Sequence, residues 1–318
     1  MSKTTKIRWV IAHEPLSLFV RAAQDFEKEI NAQQTAEKIE IEVMTLGEYS
    51  AKYNDGIVVT KHDLLDLMEQ GKIEMSQMYT TWLAEHYEHD FLAFEMPYIF
   101  SDHEHASRVL EGKVGETLLA KLTDNSNVRG LAYTYSGGFR CLGVNKPVST
   151  LADLTGEKLR SNRNPVGQAV IRTMSGVEPF VCETEEAREH VARGNCNGND
   201  TVYSRIYPLN QNDVIQSVVD SKHSLFLTTM IIGDRFWDNL SAEVKAVIKT
   251  AAIQAGRNER QTTIVDGIQA RDRLISEGKT VYEPTAQETS DMKNKMAVVY
   301  DQFADFFTPG LIDQIKKS

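Results

Sequence analysis

Few residues in this chain announce a special class. Its 318 residues include only three cysteines, Cys141, Cys182 and Cys196. The number is odd and no C-x-x-C occurs, so neither a disulfide framework nor a zinc motif follows. One bridge or three free thiols would both fit that count. No apolar run approaches the roughly 20 residues of a membrane-spanning helix. The opening MSKTTKIRWVIAHE lacks the apolar core of about 7–15 residues that marks a signal peptide. The protein is therefore expected to be cytosolic, or to be numbered as a mature form whose leader was removed.

There is also no excess of positive charge, since acids outnumber bases by 45 to 35. The formal net charge is −10, which argues against nucleic-acid or anionic-membrane partners, since both select basic patches. No G-x-S-x-G, P-loop or G-x-G-x-x-G is present. His13-Glu14 is not followed by a histidine three residues on, so it is no zincin motif. His86 and His89, and His103 and His105, lie close in sequence, but no cysteine or carboxylate set completes a metal site around them. The expectation is no metal, no cofactor and no catalytic constellation.

What remains is an ordinary globular composition, 41% hydrophobic and 25% charged, at a length that favours two domains. KIRWVIA (6–12) reads as a strand, Leu18, Phe19, Ala22, Phe26 and Ile30 as the apolar stripe of a helix, and IEIEVMT (39–45) as a second strand. A helix over 62–70, a strand over 73–80, a broken helix over 103–122 and a strand over 128–135 follow. This β-α-β-α-β order predicts a parallel sheet with helices on its faces. A helix over 166–174, a strand over 178–181 and a helix over 184–194 come next. NCNGNDTV (195–202) reads as a polar turn. Strands over 214–219, 224–232 and 280–284, a long helix over 238–275 and a last helix near 286–307 complete the chain. The fold class is α/β in two lobes, entered and re-entered near 136–140 and 224–232. Ligand sites favour such domain interfaces and the carboxyl ends of strands.

The stretch GFRCLGVNKPVSTLADLTGEKLR (138–160) carries Arg140 and Arg160 near predicted strand ends. Guanidinium forks so placed suit a carboxylate. Surface arginines on ordinary strands are the alternative.

Several ordered stretches together resemble the extracytoplasmic solute-binding proteins of TRAP transporters, the DctP family. They are KIRWVIAHEP…FVRAAQDFEKEIN, LLDLMEQGKIEMSQM, FLAFEMPYIFSDHEHASRVLEGKVGETLLAKL, RGLAYTYSGGFRCLGVNKPVSTLADLTGEKLR and HSLFLTTMIIGDRFWDNLSAEVKAVIKTAA. The resemblance implies a type II periplasmic-binding-protein-like fold with a hinge, a central cleft and a long helix crossing both lobes. Lobe 1 would comprise 1–137 and 226–265, lobe 2 138–225 and 266–318. Arg160 matches the family arginine that salt-bridges the ligand carboxylate, and Arg140 a second arginine that contacts it in some members. The family's Asp-Gly-x-Glu-Asn run corresponds to Asn197-Gly198-Asn199-Asp200-Thr201, with Thr201 where the asparagine is expected. Asn199 and Thr201 are thus candidate ligand contacts, with a solvated loop as the alternative.

Glu14, Trp82 (with Tyr79 beside it), Tyr135 and Phe139 complete the candidate set. Glu14 could equally be a carboxylate at a helix N-terminus, and the aromatics could be core. The implied function is capture of a small organic acid and delivery to transporter membrane subunits, by a monomeric, non-enzymatic, periplasmic protein. A cytosolic enzyme, or a sensor or orphan binding protein on the same scaffold, is the alternative.

Overall fold

A computed structural model describes residues 4–33 and 35–318. Eleven strands occur among them: β1 (Thr4–Ile11), β2 (Lys38–Thr45), β3 (Met75–Tyr79), β4 (Val128–Phe139), β5 (Cys141–Val144), β6 (Leu159–Ser161), β7 (Phe180–Val181), β8 (Gly198–Thr201), β9 (Ser217–Val219), β10 (Leu225–Gly233) and β11 (Thr280–Tyr282). They form a five-stranded sheet, β2-β1-β3-β10-β4, and a six-stranded sheet, β11-β9-β5-β8-β6-β7. The chain divides into two compact units. Unit 1 holds 1–88, 110–136 and 227–261, and unit 2 holds 89–109, 137–226 and 262–318.

In unit 1, β1 runs parallel to β2 and β3, as the β-α-β-α-β pattern predicts, but β10 enters antiparallel to β3. The helix Leu16–Asn31 forms where the spacing places it. It buries Leu18, Phe19, Ala22, Ala23, Phe26 and Ile30, and Phe26 meets the wholly buried Trp9 of β1 at 5.3 Å between ring centroids. Burying each such large side chain contributes about 1.5–3 kcal/mol. Inside the sheet, Gln77 of β3 donates to Thr134 of β4 at 2.7 Å and to Thr228 of β10 at 2.8 Å. The two donors of this buried amide tie three strands together.

One helix, Leu46–Tyr53, was not expected. It starts from a capping box in which the Glu48 N–H donates to the Thr45 hydroxyl at 3.2 Å and the Thr45 N–H to the Glu48 carboxylate at 2.7 Å. The signal for it is the T-x-x-E pattern of Thr45 and Glu48.

Residues 89–109, expected in lobe 1, belong to unit 2. Their polar groups explain the difference. The Asp90 carboxylate accepts from the Thr308 N–H at 2.8 Å, His105 Nε2 lies 2.7 Å from the Ile315 carbonyl, and Glu95 faces Arg140. Three buried polar side chains would lose their partners if this segment packed elsewhere.

The polar run NGNDT is strand β8 rather than a turn. It pairs antiparallel with β5 and parallel with β6. Gly198 admits the close approach, since a Cβ there would sit 2.6 Å from the Gly143 carbonyl oxygen. Gly137 does the same at the entry to Arg140: its φ is +133°, and a Cβ would meet Val202 Cγ2 at 2.1 Å. The long helix is continuous from Ala242 to Ser276, with the unit boundary falling after Gln261. No helix among the described residues is long and apolar enough to cross a membrane.

Candidate functional site

Both arginines of the 138–160 stretch are buried in unit 2, at 2% exposure for Arg140 and 1% for Arg160. Their surroundings differ in charge. Arg140 follows β4. Its Nη1 donates to the Asp200 carboxylate at 3.0 Å, and its Nη2 lies 3.5 Å from Glu95. The Phe226 ring lies 4.1 Å from the Arg140 guanidinium and 5.3 Å from that of Arg205, which is also fully buried. His223 Nε2 faces the other Asp200 oxygen at 3.3 Å. Arg140 is therefore already compensated by carboxylates of its own chain.

Arg160 is not. Strand β6 directs it to the Cys182 carbonyl, to which Nε donates at 2.9 Å and Nη2 at 2.6 Å, and Nη2 also reaches the Thr184 hydroxyl at 3.1 Å. Nη1 makes only long contacts, 3.5 Å to Asn199 Oδ1 and 3.4 Å to the Asp200 carbonyl. Each of these hydrogen-bond partners is a neutral oxygen. Burial accordingly pushes the guanidinium's pKa down, although the Cys182 thiol and Asp200 oppose it. One edge of the fork is fixed and the other is weakly held.

Asn199 stands opposite Arg160 in the β6–β8 register. Its Nδ2 has no hydrogen-bond partner among the described residues, though Asn199 is buried. An unsatisfied buried donor beside an uncompensated guanidinium is the chemistry an incoming carboxylate would satisfy. Thr201, placed by the resemblance where the family has asparagine, instead donates its hydroxyl to Gln211 at 2.8 Å.

The other candidates take structural partners. Glu14 is exposed and accepts from the Leu16 N–H at 2.8 Å, the helix-terminus alternative. Trp82 packs against His62 and His86, each with ring centroids 5.0 Å away, and Tyr79 stacks on His13 at 3.9 Å. Tyr135 is buried, and its N–H donates to Glu259 at 2.7 Å. Phe139 lies 4.8 Å from the His103 ring and lines a small polar cavity of about 230 Å³ with Tyr98, Asp220 and Lys222. Thus Arg140, Arg160, Asn199, Thr201 and Phe139 belong to unit 2, and Glu14, Trp82 and Tyr135 to unit 1. A cavity of about 400 Å³ in unit 1 holds Arg129, Arg257 and Arg260. Those three arginines pair with Asp234 and Glu111, and Lys249 also lines the cavity.

Sequence reasoning missed Glu95, Cys182, Thr184, Arg205 and His223. None of them carried a local sequence signal, because each is brought to the arginines by a distant segment.

Burial pushes the Glu95 carboxyl up to about 7, Arg140 lowers it and Asp200 raises it again. The folded state then holds a proton between about pH 4.5 and 7 that the unfolded chain has released. Stability from this group is greatest below pH 4.5 and falls as pH rises toward 7, by on the order of a few kcal/mol. Glu95→Gln is expected to flatten that part of the stability–pH curve, measured by urea unfolding from pH 4.5 to 8. An unchanged slope would show that Glu95 titrates normally.

The two-sheet mixed α/β fold matches solved periplasmic solute-binding proteins of TRAP transporters. One from Shewanella oneidensis with bound succinate superposes with a TM-score of 0.82 at 17% identity, over 99% of each chain. One from Haemophilus influenzae with bound L-gulonate gives a TM-score of 0.82 at 22% identity, also over 99% of each. At these identities the likeness is one of fold. The chain itself belongs to the bacterial extracellular solute-binding protein family 7, DctP, whose model matches residues 11–305. Among relatives, the C4-dicarboxylate-binding periplasmic protein DctP of Rhodobacter capsulatus is 27% identical over 217 residues, covering 68% of this chain and 64% of that protein. The match thus spans a little under two thirds of that relative's length.

Proposed function

We propose that this chain is the solute-binding component of a TRAP-type transporter, and that it captures a small organic acid through its carboxylate. The observation that carries the reading is Arg160. It is a buried cation whose direct partners are all neutral oxygens, with a partnerless amide N–H₂ of Asn199 beside its weakly held edge. A folded protein gains little by burying such a charge unless a ligand completes it. Arg160 would pair the carboxylate, Asn199 Nδ2 would donate a further hydrogen bond, and Arg140 with Asp200 would hold β8 in place behind them. Family membership supports delivery to membrane subunits, a periplasmic location and binding without catalysis, and the protein would act as a monomer. The acids carried by the relatives, C4-dicarboxylates, succinate and L-gulonate, define the first panel to try.

A thermal-shift panel of dicarboxylates, sugar acids and monocarboxylates, followed by calorimetry, tests the reading. An acid present at one hundred times its Kd is expected to stabilise the fold by about 2.7 kcal/mol. A panel in which neutral sugars or amines stabilise the protein and no acid does would overturn it.

A further inference from the structure

We propose that Cys182, Glu186 and His190 form a binding site for a zinc-class divalent ion on the surface of unit 2. The three residues follow one another at intervals of four, from the end of β7 into the helix Ala187–Ala192. Their sulfur, carboxylate oxygen and imidazole nitrogen all lie within 4.8 Å of one another. A tetrahedral zinc with its usual bond lengths separates such donors by about 3.3–3.6 Å. Closing the remaining gap takes small shifts of the exposed Glu186 and half-buried His190 side chains toward Cys182.

The donor set has the right chemistry. Thiolate, imidazole and carboxylate select a borderline-soft ion over magnesium or calcium. One thiolate and one carboxylate neutralise a divalent ion, and the thiol proton leaves to solvent on binding. Three protein donors leave the fourth position to water, on the side opened by Glu186.

Two contacts orient the donors in advance. The Asn195 side-chain amide lies 2.9 Å from His190 Nδ1 and the Phe180 ring packs on the imidazole at 4.6 Å; with the amide turned so that its oxygen accepts from Nδ1–H, Nε2 is the unprotonated nitrogen that takes the ion. Hydrogen bonds to the nitrogen not bound to the ion set the rotation of metal-bound histidines. The Glu183 N–H donates to the Glu186 carboxylate at 3.0 Å. The surrounding charges are mixed. Arg160 reaches the Cys182 carbonyl and lies beside its thiol, whereas Glu183, Glu185 and Glu189 add negative charge along the same segment.

The site does not depend on the carboxylate reading, and its test uses no organic acid. The untagged full chain, stripped with chelator, is titrated with Co²⁺ and then with Zn²⁺. One equivalent of cobalt is expected to bring up a thiolate-to-metal charge-transfer band that zinc abolishes. Cys182→Ser should remove the band, whereas Cys141→Ser and Cys196→Ser should keep it. Glu186→Gln and His190→Gln should each weaken cobalt binding more than tenfold. Absence of the band at tenfold excess cobalt, its survival in Cys182→Ser, or unchanged affinity in both Glu186→Gln and His190→Gln would overturn the assignment.

Discussion

Arg160→Ala is expected to weaken binding of the carboxylate ligand by a hundred- to a thousandfold, about 3–4 kcal/mol. The loss is large because the guanidinium would meet its anion out of water, with Nε and Nη2 already fixed on the Cys182 carbonyl. The effect on folding should be smaller. Burial works against the charged form of Arg160, so its removal relieves a desolvation cost while leaving the Cys182 carbonyl and Thr184 hydroxyl short of a donor. Arg160→Lys should recover only part of the affinity, since an ammonium cannot fork between two carboxylate oxygens. Calorimetry of wild type and both variants against the acid found by the panel gives the affinities, and urea midpoints give the stabilities. An Arg160→Ala protein that is folded and binds with unchanged Kd would remove Arg160 from the site.

Asp200→Asn is expected to act in the opposite way, destabilising the fold by about 3 kcal/mol. Burial raises the Asp200 carboxyl's pKa, but Arg140, His223 and Arg160 together carry it below its ordinary value. It therefore contributes stability above that ordinary value, and the contribution is lost as pH falls through the lowered one. Its loss takes the 3.0 Å bond from Arg140 Nη1, while the Glu95 carboxylate still faces Nη2 at 3.5 Å. The Glu95 carboxyl, no longer repelled by Asp200, should then ionise more readily and recover part of the cost. Combining Asp200→Asn with Glu95→Gln should thus cost more than the sum of the two. The measurement is the denaturant midpoint at constant m-value. A midpoint within error of wild type would mean that Asp200 does not compensate Arg140.

Much of the frame was legible because it obeys simple periods. The helix Leu16–Asn31 and the strands on either side of it follow from the spacing of Trp9, Phe26, Ile30 and the alternating IEIEVM run. The long helix from Ala242 to Ser276 was likewise foreseeable from its entry at Ser241. Strand β8 was not, because Asn199, Asp200 and Thr201 read as solvent-loving until partners from distant segments are known. Those partners are Arg160, Arg140, His223 and Gln211.

The site divides along the same line. The family resemblance singles out Arg140 and Arg160 together, and the one acid close to either in sequence, Glu157 before Arg160, pairs with Lys146 instead. What separates them is that Glu95 and Asp200 converge on one arginine and only neutral oxygens on the other. That depends on which strands meet, and no local pattern reports it. Thr201 illustrates the converse: position in a motif suggested a ligand contact, yet Gln211, ten residues on, takes its hydroxyl.

The account stands most directly on one thermodynamic cycle. The affinities of the identified acid and of its uncharged primary amide are measured by calorimetry on wild type and on Arg160→Ala. If Arg160 pairs the ligand carboxylate, the acid's advantage over the amide should be large in wild type and nearly vanish in the variant, a coupling of about 2 kcal/mol or more. An acid-over-amide preference that is the same in both proteins would contradict the account.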